Sequence, residues 1–319
     1  MAGYQALHRS GELAARAREA VARLEACALC PRACGVNRLQ GERGMCGTGR
    51  LASVASFVPH FGEEAPLVGK GGSGTIFFAG CNLQCAFCQN SGISRSASAG
   101  QEATPAQLAA IMLELQGQGC HNINLVTPTH VAAQILEALP LAVDQGLTLP
   151  LVYNTSAYDA PETLALLDGV VDIYMPDAKF WDAAMAGKYC RGATDYPEAA
   201  RAAIAAMHRQ VGDLVLGADG MARRGLLVRH LLMPDNIAGT REWFCYLASL
   251  SPAVYVNIMD QYRPCGDAAA YPELRRTILP VEYDLAVEAA LSMGLTRLDE
   301  RPSSLARLLM ALAKEHGLE

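Results

Sequence analysis

Apolar runs and helical repeats alternate along most of this chain. From residue 75 onward, short runs of large apolar residues are separated by segments in which apolar residues recur at helical spacing, as Leu108, Ile111, Met112 and Leu115 do. The runs, which predict strands, are TIFFA (75–79), NINLV (122–126), LPLVY (149–153), VDIYM (171–175), GLLVRHLL (225–232) and AVYVNIM (253–259). Strands that alternate with helices predict a parallel sheet covered on both faces.

The number of these units indicates the architecture. Six β/α units over this length are typical of a partial (β/α)6 TIM-type barrel, in which functional residues follow the carboxyl ends of the strands. We expect an α/β fold in three parts: a small Cys-rich N-terminal extension (1–50), the barrel (51–300) and a C-terminal helix (301–319). The first twenty residues predict one amphipathic helix with Ser10 as its N-cap.

Composition and charge narrow the functional classes. Hydrophobic residues make up 51% of the 319 residues and charged residues only 18%, which indicates a folded, well-buried chain. The net charge of −6 argues against a nucleic acid partner, because phosphate neutralisation needs a basic surface. No apolar run is long enough for a bilayer, and the N-terminal residues lack the apolar core of an export signal. We therefore expect a cytoplasmic protein that does not bind membranes.

The cysteines are the first candidates for chemistry. There are 11 of them, an odd number that a reducing compartment would not build into a disulfide framework. Cys81, Cys85 and Cys88 form C-x3-C-x2-C directly after the first barrel strand, so their thiolates converge. Soft sulfur suits zinc or an iron–sulfur cluster. A closed zinc site needs a fourth ligand, and none is nearby, whereas a cubane held by three thiolates keeps one iron open.

This motif and its setting resemble the radical S-adenosylmethionine (SAM) superfamily. C-x3-C-x2-C is the signature of that superfamily, and an aromatic residue, here Phe87, precedes the last cysteine. Within the superfamily the chain looks most like pyruvate formate-lyase-activating enzyme and its relatives, over about residues 25–300. The stretches that carry this likeness are FFAGCNLQCAFCQN, NLVTPTHV, VDIYMPDAKF and VRHLLMPDN.

The resemblance implies both cofactors and partners. It implies a 4Fe-4S cluster on the cysteine triplet and SAM on the open iron, cleaved reductively to a 5′-deoxyadenosyl radical that abstracts hydrogen. It further implies a glycyl radical enzyme as protein substrate and flavodoxin or ferredoxin as electron donor. Radical chemistry on a small molecule or another peptide is the alternative within the enzyme class, and a zinc-binding scaffold protein is the alternative from another class.

The resemblance also indicates residues for SAM. Relatives carry Gly-Gly-Glu after the second barrel strand to hold the SAM amino group, whereas this chain has Thr127-Pro128-Thr129-His130. The hydroxyls of Thr127 and Thr129 either accept hydrogen bonds from that ammonium group or cap the following helix.

Three further strand ends carry polar candidates. Asn154 is a candidate for the ribose hydroxyls. Asp177 and Lys179 resemble the D-x-K of the activating enzymes and would bind the SAM carboxylate or support the radical site. Arg229 resembles an arginine that faces SAM in relatives, and its alternative is an ordinary ion pair, for instance with Asp177.

The remaining candidates are the N-terminal cysteines, a pair of glutamates and three scattered cysteines. Cys27, Cys30, Cys34 and Cys46 form a complete tetrahedral set, which suits either zinc or an auxiliary cluster, in a segment that cannot build its own core. Glu63 and Glu64 are expected to be a solvated surface pair, with substrate binding as the alternative. Cys120, Cys190 and Cys245 are expected to be buried thiols.

Overall fold

The strands follow the order of the apolar runs. In the computed structural model, which describes residues 2–299, the chain forms nine strands in that range. They are β1 (Ala52–His60), β2 (Ser73–Phe78), β3 (Gln101–Ala103), β4 (Ile123–Val126), β5 (Leu151–Thr155), β6 (Ile173–Pro176), β7 (Val215–Leu216), β8 (Ala222–Leu231) and β9 (Tyr255–Met259).

Helices separate most of these strands. They are α1 (Tyr4–Arg9), α2 (Glu12–Ala22), α3 (Ala65–Val68), α4 (Ser91–Ser94), α5 (Pro105–Gly117), α6 (Ala132–Asp144), α7 (Pro161–Leu167), α8 (Ala183–Tyr189), α9 (Tyr196–Val211), α10 (Thr240–Leu250) and α11 (Pro280–Ser292). Helix α5 illustrates the local signals: Thr104 and Gln107 form a capping box, and proline occupies its first turn.

Six parallel strands form a partial barrel. Strand β2 pairs with β4, β4 with β5, β5 with β6, β6 with β8 and β8 with β9, all in parallel. Strand β1 adds to the free edge of β2 in the antiparallel sense, and β3 pairs with β1. Each of the six predicted runs supplies one of the parallel strands, and the α/β class and the partial (β/α)6 barrel are confirmed.

The interior of the barrel is filled from one end. Side chains alternate across a strand, so Val152 of β5 and Leu227 of β8 point inward and pack around Leu67 of α3. Leu67 is fully buried, and removal of such a side chain from water contributes about 2 kcal/mol. Helix α3 thus fills one end of the interior, and the carboxyl ends of the strands lie at the other.

The N-terminal extension packs against the outside of the barrel. Leu13 and Leu24 belong to the same buried cluster as the barrel helices. The hydroxyl of Tyr4 donates to the carbonyl oxygen of Leu149 over 2.7 Å. The prediction of one N-terminal helix is wrong: Gly11, with φ of 80°, separates α1 from α2 and takes the cap position expected for Ser10.

Two expectations concern the C-terminal residues and membrane-spanning helices. The predicted C-terminal helix (301–319) lies outside the described residues. Between residues 2 and 299, no helix combines the length and apolar character needed to cross a bilayer.

Candidate active site

A cavity opens where the parallel strands end. Its volume is about 380 Å³. Residues of β2, β4, β5, β8 and β9 line it, together with residues of the loop that follows β6. Most of the residues expected at the site lie on its wall: Cys81, Cys85, Phe87, Cys88, Thr127, Asn154, Asp177, Lys179 and Arg229. The strand-end rule therefore brings together side chains separated by up to about half of the chain.

The cysteine triplet lies on the loop that leaves β2. Gly80, with φ of 83°, turns the chain out of the strand, and its amide donates to the carbonyl oxygen of Ile93 over 2.9 Å. Further along the loop, the amide of Ala86 donates to the carbonyl oxygen of Tyr189 over 2.7 Å. These backbone bonds hold the loop at both ends, so the three thiols face one cavity.

The thiols of the triplet influence one another. Burial, with a smaller contribution from Cys85, raises the pKa of Cys81 to about 12. Burial also raises the pKa of Cys88, against a hydrogen bond from Ser94 that lowers it. The Sγ of Cys85 lies 3.6 Å from the Sγ of Cys190, a buried cysteine that the sequence indicated only as packing. As thiolates, these groups need a cation beside them.

The donor set fits the iron–sulfur cluster that the triplet implies. It comprises three soft sulfur donors that line one cavity together with polar side chains. Between residues 2 and 299, no three His, Cys, Asp or Glu side chains already surround one point as metal ligands. Binding at any cysteine set of this chain therefore requires side-chain rotation.

Asp177 is the centre of a charged network on the wall of the same cavity. Its Oδ1 accepts a hydrogen bond from Nε of Arg229 over 2.7 Å, and its Oδ2 accepts one from Nζ of Lys179 over 2.8 Å. The same guanidinium donates from Nη2 to Oδ1 of Asn154 over 2.7 Å. The predicted ion pair of Arg229 thus exists, and it lies on the cavity wall.

The charges of this network stabilise one another. Burial by itself would raise the pKa of Asp177, but Arg229 and Lys179 hold that pKa below its usual value. The pKa of Lys179 lies above its usual value, since the attraction of Asp177 exceeds the effect of burial. Lys179, Arg229 and Asp177 are therefore all charged at neutral pH.

The two threonines after β4 have different surroundings. Thr127 lines the cavity with φ of 60°, a strained conformation for a β-branched residue. Thr129 does not line the cavity: it is buried, and its hydroxyl donates to Oδ1 of Asp159 over 2.7 Å. The prediction that Thr129 contacts SAM disagrees with this placement, because its hydroxyl already serves a buried carboxylate.

Phe87 combines packing with a place on the cavity wall. Its ring lies edge-on to Phe180 at 5.6 Å and to Tyr262 at 6.3 Å between centroids. This aromatic packing fixes the backbone between Cys85 and Cys88.

Glu63 and Glu64 were expected at the surface, with substrate binding as the alternative. They are 8% and 2% exposed, so the interpretation as a solvated pair is wrong. Glu63 lines the cavity, 3.7 Å from Nη1 of Arg229, and Glu64 accepts a hydrogen bond from Nδ2 of Asn257 over 2.7 Å. Their local sequence resembles an exposed loop, and only the insertion of α3 into the barrel buries them. Cys245, expected to be buried, is exposed.

The N-terminal cysteines lie together away from the main cavity. Cys27, Cys30, Cys34 and Cys46 line a separate small cavity next to Asn82 of the cluster loop. Burial raises the pKa of Cys30 to about 12, and the nearby Cys46 and Cys27 act in the same direction.

Comparison with known proteins identifies the class. A family model described as the radical SAM superfamily matches residues 75–221. An uncharacterized protein of Methanocaldococcus jannaschii is 32% identical over 273 residues, which cover 83% of this chain and 74% of that protein. A solved structure of TYW1 with a lysine-pyruvate adduct bound covers 70% of this chain and 73% of its own at 11% identity, with a TM-score of 0.40, too slight a likeness to interpret.

The chain belongs to the radical SAM superfamily and is an enzyme of that superfamily. Membership implies a 4Fe-4S cluster and SAM as cofactors. The alternative of a zinc-binding scaffold protein is therefore wrong.

Proposed function

We propose that this enzyme holds its 4Fe-4S cluster on Cys81, Cys85 and Cys88 and binds SAM in the same cavity. When bound and reduced, the cluster supplies the electron that cleaves SAM to methionine and a 5′-deoxyadenosyl radical. The observation that carries the proposal is the shared cavity: the three thiols and the Asp177 network line one space of about 380 Å³.

The charged wall suits the polar groups of SAM. Lys179 and Arg229 are cations that would attract a carboxylate, and Asp177 keeps both in place. The Oδ1 of Asn154 already accepts from Arg229, which leaves its amide nitrogen to face a ribose hydroxyl. Thr127 is the side chain at the end of β4 that remains available for the ammonium group, where relatives use Gly-Gly-Glu.

We further infer that the reaction is activase-like: hydrogen is abstracted from a glycine of a partner protein, with flavodoxin or ferredoxin as electron donor. The stretches shared with the activating enzymes, VDIYMPDAKF among them, support this inference.

SAM cleavage is tested with the anaerobic, reconstituted full chain. Reduction with dithionite in the presence of SAM should yield 5′-deoxyadenosine in the wild type, and Cys85→Ala should reduce the yield to background. Cys245→Ala, which removes an exposed thiol outside the cavity, is the matched control and should retain full yield. A fully iron-loaded wild type that forms no 5′-deoxyadenosine would refute the proposal.

The substrate class is tested by isotope transfer. A candidate glycyl radical enzyme labelled with deuterated glycine should pass deuterium into 5′-deoxyadenosine and develop a glycyl radical signal in electron paramagnetic resonance. Active SAM cleavage without deuterium transfer from any such protein would contradict the activase role and favour a small molecule or another peptide as substrate.

A further inference from the structure

The four N-terminal cysteines line one small cavity. The cavity that Cys27, Cys30, Cys34 and Cys46 line has a volume of about 10 Å³, against about 380 Å³ at the active site. A single water molecule needs roughly 10–15 Å³ measured in this way. This space has the size of a single ion, and we expect rotation of the four side chains to bring their sulfurs to it.

A buried cation borders the same space. Arg38 is 1% exposed and lines the cavity, with its Nη1 3.7 Å from Sγ of Cys27. Its Nε donates to the carbonyl oxygen of Gly49 over 2.9 Å and its Nη1 to that of His130 over 2.8 Å. Its Nη2 is buried and has no hydrogen-bond partner. A buried guanidinium needs a compensating negative charge, and thiolates would provide it.

We propose that Cys27, Cys30, Cys34 and Cys46 bind one zinc ion as thiolates, with Arg38 as the buried counter-ion. Zinc takes four thiolates in a closed tetrahedral site, and the C-x2-C and C-x3-C spacings of this segment fall within the range of structural zinc sites. Each bound thiol releases its proton to solvent. The zinc proposal does not rest on the proposed reaction, since none of the four ligands lines the active-site cavity.

The zinc site would support the cluster loop from behind. Arg32, between two of the ligands, donates from Nε to the carbonyl oxygen of Asn82 over 3.0 Å. Gln84 donates from Nε2 to the carbonyl oxygen of Met45, the residue before Cys46, over 2.8 Å. A metal that orders residues 27–46 therefore also orders the backbone next to Cys81 and Cys85.

Metal content of a variant without the catalytic thiols tests the proposal. The full chain with Cys81, Cys85 and Cys88 all changed to alanine should contain about one zinc and no iron. About four irons with matching sulfide in this variant would overturn zinc in favour of an auxiliary cluster. Absence of both metals from folded protein would overturn the site itself. Replacing Cys120, a buried thiol outside both sites, should leave the zinc in place.

X-ray absorption at the zinc edge of the wild-type enzyme covers the case in which the triple variant does not fold. We expect only sulfur neighbours at about 2.3 Å, four per zinc. Nitrogen or oxygen ligands in the first shell, or no zinc after reconstitution, would overturn the proposal.

Arg38 is tested by chelator competition. Arg38→Met keeps all four ligands but removes the counter-ion, and we expect zinc affinity to fall about 10–100-fold, as for other groups that support a metal site. Arg43→Met is the control: Arg43 lies on the same segment but pairs with Glu102 at the surface, so its removal should leave affinity unchanged. If Arg38→Met and Arg43→Met bound zinc with equal affinity, Arg38 would not be the counter-ion of the site.

Discussion

Gly80 lies directly against the carbonyl oxygen of Cys46, and a Cβ built on Gly80 would come within 2.5 Å of that oxygen. This contact joins the two cysteine sets, because Gly80 precedes Cys81 and Cys46 ends the N-terminal set. No side chain can be accommodated between them unless one backbone moves.

Gly80→Ala should therefore disturb both sets. Its φ of 83° costs a non-glycine residue about 1–3 kcal/mol, to which the overlap with the Cys46 carbonyl adds. We expect a loss of at least about 2 kcal/mol in urea unfolding and a lower iron content after reconstitution. Gly92→Ala is the matched control, since a Cβ there meets no atom within 4 Å. If Gly80→Ala and Gly92→Ala unfolded at the same urea concentration, the end of β2 and the N-terminal extension would not pack as described.

The charged wall predicts a combined loss of stability and binding. Asp177→Asn leaves Arg229 and Lys179 without their shared carboxylate. Breaking a buried ion pair costs about 3–5 kcal/mol, which calorimetry or urea unfolding would detect. SAM affinity should fall in the same variant, by equilibrium dialysis. Asp219→Asn, which breaks an exposed pair with Arg223, should change neither quantity noticeably. If Asp177→Asn also behaves in that way, the network has no structural role.

Replacement of Thr127 by glycine is expected to weaken SAM binding without loss of stability. Its φ of 60° is unfavourable for a β-branched residue, so Thr127→Gly should leave thermal stability unchanged or raise it by up to about 1 kcal/mol. The same change removes the hydroxyl from the cavity and should weaken SAM binding. Thr127→Ser keeps the hydroxyl and should bind normally. Full SAM affinity in Thr127→Gly would show that the strain serves the backbone alone.

His230 predicts a loss of stability in acid. Burial lowers its pKa to about 4, and both ring nitrogens already have partners, the carbonyl oxygen of Ala178 and the hydroxyl of Thr240. The unfolded chain titrates near pH 6.5. Below that pH His230 is protonated in the unfolded chain but still neutral in the folded protein. The free energy of unfolding therefore falls as the pH drops from about 6.5 to 4. The full loss is about 3 kcal/mol.

Unfolding at pH 7.5 and 4.5 in the wild type and in His230→Asn measures this contribution. The variant should be less stable at pH 7.5 but should lose less stability on acidification. The same acid dependence in both proteins would assign the loss to other groups.

The alternation of strands and helices could be read from the chain because both faces of the parallel strands are buried. Their residues therefore form continuous apolar runs, as in the LVY that begins β5, all three residues of which are buried. The strand-end rule then indicated Asn154, Asp177 and Arg229, since inward-facing residues alternate along each strand. Contacts of these side chains with SAM remain predictions.

Other parts of the site depend on contacts between distant segments. The burial of Glu63 follows from the insertion of Leu67 between β5, β6 and β8, and nothing in the loop sequence reports that insertion. Thr127 and Thr129 look equivalent in the sequence. The hydroxyl of Thr129, however, is hydrogen-bonded to Asp159, 30 residues later in the chain, and does not face the cavity. Local periodicity cannot reveal such pairings.

The sequence by itself indicated a thiolate metal centre and determined the β/α architecture, because both rest on spacing within short segments: three thiols in one loop and apolar runs in regular order. Only the tertiary structure decided what surrounds those segments. It brings Arg38 to the carbonyl oxygen of His130 and to Cys27, and it packs Cys46 onto Gly80. These contacts cross from the extension to the barrel, and the apolar core that the two share holds them in place.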